Sequence, residues 1–221
     1  MEAFVDQFLN LEIMVAAWPT ILQGLGMTLL LCAVVVPLGL AGGLLTALAA
    51  LSRRRWLRWP IVALIDFFRA IPPLVLLIFV YAGLPFAGLR LDPFAAVALA
   101  FLLNNSAYYG EIFRAGIGSV AHGQMEAARS TGLSHAKAMV YVILPQAVRN
   151  VLPDLVSNTV EVVKLTSLAS VVSLSEMLHA AQLARSVTYN TSPIVLAAVI
   201  YLAILWPVVR LVSRYERRLA S

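Results

Sequence analysis

Residues 19–51 read PTILQGLGMTLLLCAVVVPLGLAGGLLTALAAL, an apolar run without a charged side chain. A helix rises 1.5 Å per residue, so roughly 20 such residues cross the hydrocarbon of a bilayer. This run is long enough to cross with tilt or to protrude. Four more apolar segments follow, at about residues 60–82, 93–112, 153–174 and 193–212. Proline at their starts fits the first turn of a helix, where its missing N–H costs nothing. The chain of 221 residues is 61% hydrophobic and 12% charged, against about 25% charged in soluble domains. The sequence therefore predicts an all-α membrane protein with five transmembrane helices.

Charge sets the expected orientation. Arg53, Arg54, Arg55 and Arg58 follow the first segment. Arg114, Arg129, Lys137 and Arg149 follow the third, and Arg210, Arg214, Arg217 and Arg218 end the chain. These are twelve of the 16 basic residues, all on one side of the membrane. The opposite side holds Arg90 and Arg185, and the first eighteen residues hold only Glu2, Asp6 and Glu12. Positive residues stay inside, which puts the N-terminus outside and the C-terminus in the cytoplasm. Topology, rather than nucleic acid, thus accounts for the net charge of +5. The expected organisation is an extracytoplasmic segment over 1–18, a membrane domain over 19–215 and a cytoplasmic tail over 216–221. Phe4, Val5, Phe8, Leu9 and Ile13 recur at near-helical spacing, as in a helix lying on the membrane surface. No cleavable signal peptide is expected, since no positive charge precedes the first apolar residues. Cys32 is alone and reads as a packing residue, and the three histidines show no metal-ligand spacing. Gly39 and Gly43 form a G-x-x-x-G pair that permits close helix packing.

Between the third and fourth segments, within about 114–152, the sequence turns polar: GQMEAARSTGLS, residues 123–134. Gln124 to Thr131 are mostly good helix formers and Gly132 stands where a left-handed C-cap belongs. Glu126 lies toward the start and Arg129 at the end, both favourable on the helix dipole. Ala127 and Ala128 leave little bulk, so another surface can approach the backbone. Ser134 is placed to cap a second helix from His135, which Pro145 is expected to interrupt. Two roles fit: a helix gripped by a partner, or a connector lying on the lipid.

Glu126-Ala127-Ala128, then Gly132, then Ile143-Leu144-Pro145 resemble the EAA loop of bacterial ABC importer permeases. FFRAIPPLVLLIFVYAGLP (67–85), AYYGEIFRAGIGSV (107–120), ILPQAVRNVLPDLVSN (143–158) and VKLTSL (163–168) are similar, in order, to stretches of the polar amino acid uptake permeases. The resemblance spans about residues 23–218. It implies a type I ABC importer core in the bacterial cytoplasmic (inner) membrane. It also implies a coupling helix containing Gly123, Gln124, Glu126, Ala127, Ala128, Arg129 and Gly132, which fits a groove on a cytoplasmic ATPase. The implied partners are two ATPase subunits, an identical or paralogous permease and an extracytoplasmic solute-binding protein, within membrane lipid. No Walker A motif is present in the chain, so ATP and Mg belong to the ATPase partner, and no cofactor, metal or covalent catalysis is expected here. The family's R-G-T-P is Arg69-Ala70-Ile71-Pro72, and its K-D-T-S-L is Lys164-Leu165-Thr166-Ser167-Leu168.

Ionisable residues inside spans are costly and are usually paired or functional. Asp66 with Arg69, and Glu111 with Arg114, are three apart and can each meet on one helix face. They read as structural pairs or as a gate network. On the fourth segment Asn158, Glu161, Lys164 or Leu165, and Leu168 fall at helical spacing, with Thr166 and Ser167 beside them. Counted from Pro153, Glu161 lies roughly 12 Å along the helix, where transport sites tend to lie. Its carboxylate would either hold a substrate ammonium or guanidinium or pair with Lys164; the first favours a solute with a cationic group. Asn104, Asn105, Ser106 and Tyr108 are further candidates for polar lining. The expected function is ATP-driven uptake of a polar amino acid or similar solute by alternating access. Family relatives also carry opines, cystine and compatible solutes such as ectoine. An ion-coupled secondary transporter would need internal repeats, and an intramembrane enzyme would need a nucleophile–base pair or clustered aspartates. Neither pattern is evident.

Overall fold

The computed structural model describes residues 1–52 and 54–219, with side chains through 214. Arg53, the side chains of Arg217 and Arg218, counted above among the basic residues, and residues 220–221 of the expected 216–221 tail lie outside this description. Asn10 caps the longest helix, α2 (Leu11–Ala50), by accepting a hydrogen bond from the Ile13 N–H at 3.2 Å. Helix α1 (Glu2–Phe8) precedes it. Pro19 therefore sits inside α2 rather than opening it, because the Asn10 cap starts the helix earlier. Along α2 the buried positions Ile21, Gly24, Thr28, Leu31, Val35, Gly39, Gly43 and Ala47 recur every three or four residues. The remaining surface is mostly apolar too, as expected where lipid rather than water is the solvent.

Helix α5 (Pro93–Ser119) runs against α2, started by Asp92, which accepts from the Ala95 N–H at 3.1 Å, with Pro93 in its first turn. Glycine makes this approach possible. A Cβ on Gly43 would lie 2.4 Å from the Cβ of Tyr109, and one on Gly110 would lie 2.4 Å from Thr46 Oγ1. The Gly39–Gly43 pair is thus the notch into which Tyr109 packs. Tyr109 is fully buried, and its hydroxyl shares a 2.8 Å hydrogen bond with Thr159 on α9 (Leu152–Leu165).

The second apolar segment is not one straight helix. Helix α3 (Arg55–Ala70) is followed by helix α4 (Pro73–Ile78), and the helical path Pro73–Ala87 that α4 opens is bent from α3 by 102°. Pro72 and Pro73 donate no backbone hydrogen bond, and proline disfavours helical geometry in the residue before it, so the helix stops at Ala70. A π-turn (Phe79–Gly83) and a 3₁₀ turn (Leu84–Ala87) follow α4 and end at Gly88, with φ of 85°.

After α5 come α6 (His122–Ser130) and α7 (His135–Ala138), then a π-turn (Met139–Ile143) and α8 (Leu144–Asn150). Pro145 does not interrupt the path as expected. The wide π-turn accommodates it in the first turn of α8, where its missing N–H is harmless. Helix α9 tightens into a 3₁₀ segment (Thr166–Val172) that ends at Ser173, in the left-handed region. Helices α10 (Met177–Thr188) and α11 (Ser192–Leu219) complete the fold. The fourth apolar segment thus stays helical to Val172 but is 3₁₀-wound over its last part, and α10 was not foreseen. It packs against the first half of α2, where a Cβ on Gly24 would come within 2.8 Å of the Glu176 carbonyl.

By length and composition, residues 2–50, 152–172 and 192–214 can each cross a membrane, and the bent α3–α4 pair can do so if it forms one crossing. Helix α5 also has the length, but Asn104-Asn105-Ser106 make it more polar. Those three are buried: Asn105 donates to the Phe101 carbonyl at 2.8 Å, and Asn104 to the Phe68 carbonyl at 3.1 Å. The polarity of α5 is thus turned inward, as suits a helix at the centre of a bundle.

Replacing Gly43 with Leu should lower the unfolding midpoint of the purified protein by several degrees, since overpacking costs about 1–3 kcal/mol or more. A Cβ at Gly26 meets nothing within 4 Å, so Gly26→Ala should leave the midpoint unchanged. Equal midpoints for both variants would refute the notch.

Candidate functional site

Two polar features stand out from the apolar bundle. The first is α6 with its surroundings. The backbone amide of Gln124 donates to the Ala121 carbonyl at 2.9 Å to begin the helix, and Gly132 ends it with φ of 89°. Glu126 and Arg129 are exposed, near the two ends that favour their charges. Ala127 faces out, whereas Ala128 is only 7% exposed and packs against its own chain. The expected small face is therefore narrower than the sequence implied: Ala127 leaves room for a visitor and Ala128 seats the helix. Gln146 on α8 reaches back to Gln124 at 3.4 Å, and Asn150 donates to Ser119 at 2.8 Å. The segment is thereby tied to the end of α5.

The second feature is on α9. Asp154, Ser157, Glu161 and Lys164 are all exposed and follow each other at three- and four-residue spacing. Lys164 donates to Glu161 as a close ion pair, with both side chains more than half exposed. A stripe of this polarity is expensive against lipid. Asn158 is one step round the helix from Ser157 and is half-buried, with its Nδ2 unpartnered. Four expected lining residues, Asn104, Asn105, Ser106 and Thr166, are enclosed instead. Thr166 is fully buried and donates to the Val163 carbonyl at 2.6 Å, and Asn104 faces α3. Thr166 lies one turn beyond the fully buried Val162, on the packed face of the helix rather than on the Glu161 face. Ser167 stays half-exposed.

The expected ion pairs divide. Arg114 chelates Glu111 through Nε and a terminal nitrogen. Asp66 and Arg69 form no ion pair. Arg69 instead lies 5.7 Å from the centre of the Tyr108 ring, and the Tyr108 hydroxyl donates to the Arg69 carbonyl at 3.3 Å. The guanidinium thus takes a cation–π partner from α5 in place of the carboxylate one turn away on α3.

Glu176 was not singled out by its sequence position, yet it is fully buried. Its carboxylate accepts from the Leu178 N–H at 2.8 Å and the His179 N–H at 2.7 Å, capping α10, and from Tyr201 on α11 at 3.4 Å. Next to it, the Met177 N–H donates to Thr28 on α2 at 3.1 Å. A signal was available: an acidic residue directly before the helix-forming run Met177-Leu178-His179-Ala180-Ala181.

The family profile described as "Binding-protein-dependent transport system inner membrane component" matches residues 39–221. A probable amino-acid ABC transporter permease of Bacillus subtilis, YckA, is 38% identical over 201 residues, covering 90% of this chain and 88% of that protein. The arginine transport system permease ArtQ of the same organism is 34% identical over 205 residues, covering 92% and 94%. Among solved structures, an amino acid ABC transporter with histidines superimposes with a TM-score of 0.83 at 38% identity, over 93% of this chain and 96% of that one. The inward-facing MetNI methionine ABC transporter has the same fold, with a TM-score of 0.71 at 18% identity over 89% and 96%.

The Glu176 cap gives a direct test. Glu176→Ala leaves two buried N–H groups without their acceptors and should cost roughly 1–3 kcal/mol, read as a lower thermal midpoint in detergent. Glu176→Gln keeps one acceptor oxygen and should fall between the two. No change in either variant would show that the cap contributes nothing.

Proposed function

Because this chain belongs to the family of binding-protein-dependent transport inner-membrane components, and is a permease subunit of an ABC importer rather than an enzyme, we propose that its α9 stripe lines half of a path for an amino acid. The carrying observation is that stripe: Asp154, Ser157, Glu161 and Lys164 exposed on a helix otherwise suited to lipid. Its cost is removed if the stripe faces a solvated path completed by a second permease subunit, identical or paralogous.

Five passes are proposed: α2, the α3–α4 pair, α5, α9 with its 3₁₀ extension, and α11. The N-terminus is outside and α6 is cytoplasmic, in the bacterial inner membrane. The distribution of arginine and lysine supports this orientation. Family membership implies ATPase partners. In our reading two such subunits grip α6, with Glu126 and Ala127 toward the groove, and a solute-binding protein delivers cargo from outside. ATP binding favours one arrangement of the helices and hydrolysis releases it, so the path opens alternately to each side. ATP and Mg stay with the ATPase.

The solute is proposed to carry an ammonium group. Glu161 and Lys164 already hold opposite charges side by side. An amino acid zwitterion can exchange that pair for two charge-assisted bonds, its ammonium on Glu161 and its carboxylate on Lys164. The relatives named for glutamine, arginine and cystine differ in side chain but share that zwitterion.

Two measurements in vesicles containing the full complex test this reading. Glu161→Gln should cut amino acid uptake about tenfold, the worth of one charge-assisted bond, with ATP hydrolysis retained. Unchanged uptake would return Glu161 to a structural role. Glu126→Lys should leave the helices folded and separate ATP hydrolysis from uptake. Normal uptake with normal stimulation of the ATPase would remove α6 from the coupling.

A further inference from the structure

A groove of about 850 Å³ opens where the end of α2, the first turn of α3, the end of α5 and the α6–α7 segment come together. Its walls are largely apolar, with Leu48, Leu51 and Leu57 on one side and Ile117, Met139 and Val140 on the other. Arg129 and His135 stand on the α6–α7 side, and among the described residues no acidic one lines it. Beside Leu57, the first turn of α3 adds Arg54, Arg55 and Arg58, all exposed. Arg54, Arg55 and Arg129 form no ion pair among the described residues. Trp56 and Trp59 on the same turn are 70% and 63% exposed, and Arg58 lies 5.9 Å from the ring centre of Trp59.

We propose that this groove binds an anionic phospholipid, with an acyl chain along the leucine wall and the phosphate held between the α3 arginines and the Arg129–His135 side. The charge complementarity is one-sided: Arg129 and His135 line the apolar slot, the exposed arginines of the α3 start flank Leu57 in its wall, and no carboxylate among the described residues lines it. Exposed tryptophans next to arginines mark the level of the headgroups, which places the slot at acyl-chain depth and the cations at phosphate depth. Anionic headgroups are attracted to such clusters of basic residues near the membrane surface. A lipid seated here would touch α2, α3, α5 and the α6–α7 segment at once. It would brace from behind the helix that we assign to the ATPase. The inference rests on the membrane placement of α2 and α3, and it is independent of which solute is carried.

The test uses the complete complex with its ATPase, purified in mild detergent, exposed to equal amounts of phosphatidylglycerol and phosphatidylcholine and weighed by native mass spectrometry. Wild type should retain phosphatidylglycerol with at least a several-fold preference. Filling the groove with Ala49→Trp should abolish that retention, and the intact mass reports whether the complex still assembles. Val140→Trp fills the groove from the opposite wall and serves if the first variant does not assemble. Arg54→Gln combined with Arg58→Gln should remove the preference between the two lipids. Equal retention of both lipids by wild type, or phosphatidylglycerol retention unchanged in a groove-filled complex, would overturn the proposal.

Discussion

How closely α2 and α5 approach each other is set by one side chain, Tyr109, and by the absence of two others. Its ring fills the notch left by Gly39 and Gly43, and its hydroxyl meets Thr159 on α9. Three helices distant in sequence are thus held at one level. In lipid no hydrophobic drive pushes helices together, so association depends on close packing and on hydrogen bonds between helices. Tyr109 supplies both. The polar face of α9 points away from this junction because the Tyr109 side of the helix is already taken up by packing.

Much of this order was legible in the sequence because lipid and water select residues so differently. The apolar runs located the long helices, and the Gly39–Gly43 spacing marked where two of them touch. The bracketing glycines and end charges of residues 123–134 marked a short separate helix, and the structure places Gly132 in the left-handed conformation expected of it. The motif order also identified the family, which the relatives then supported independently.

What was not legible has local physical causes. Helix α10 hides behind composition: residues 173–188 mix Ser, Glu, Gln and Arg with alanines, which reads as a link between spans. The buried carboxylate of Glu176, satisfied by two backbone amides and a tyrosine, starts the helix, and Met177, Ala180 and Ala181 pack it into the core. Thr166 was a candidate for the path, but it falls one turn after the buried Val162 and so belongs to the packed face. Asp66 and Arg69 had the right spacing to pair, yet a ring supplied by α5 competes for the guanidinium. Sequence spacing reports what one helix offers; neighbours decide what is taken up.

Helix α1 is secured by polar contacts to the turn before α11. The Thr191 N–H donates to the Gln7 carbonyl at 3.0 Å, Asn190 donates to the Asp6 carbonyl at 2.8 Å, and the Asn10 N–H donates to Ser192 at 2.9 Å. Asn10 and Ser192 are 182 residues apart in sequence. Made from the N-terminus onward, the chain leaves these groups waiting on solvent or headgroups until nearly every other helix exists. Their closure is therefore among the last events of assembly, and it records in one small cluster of bonds that the first and last helices have arrived in register.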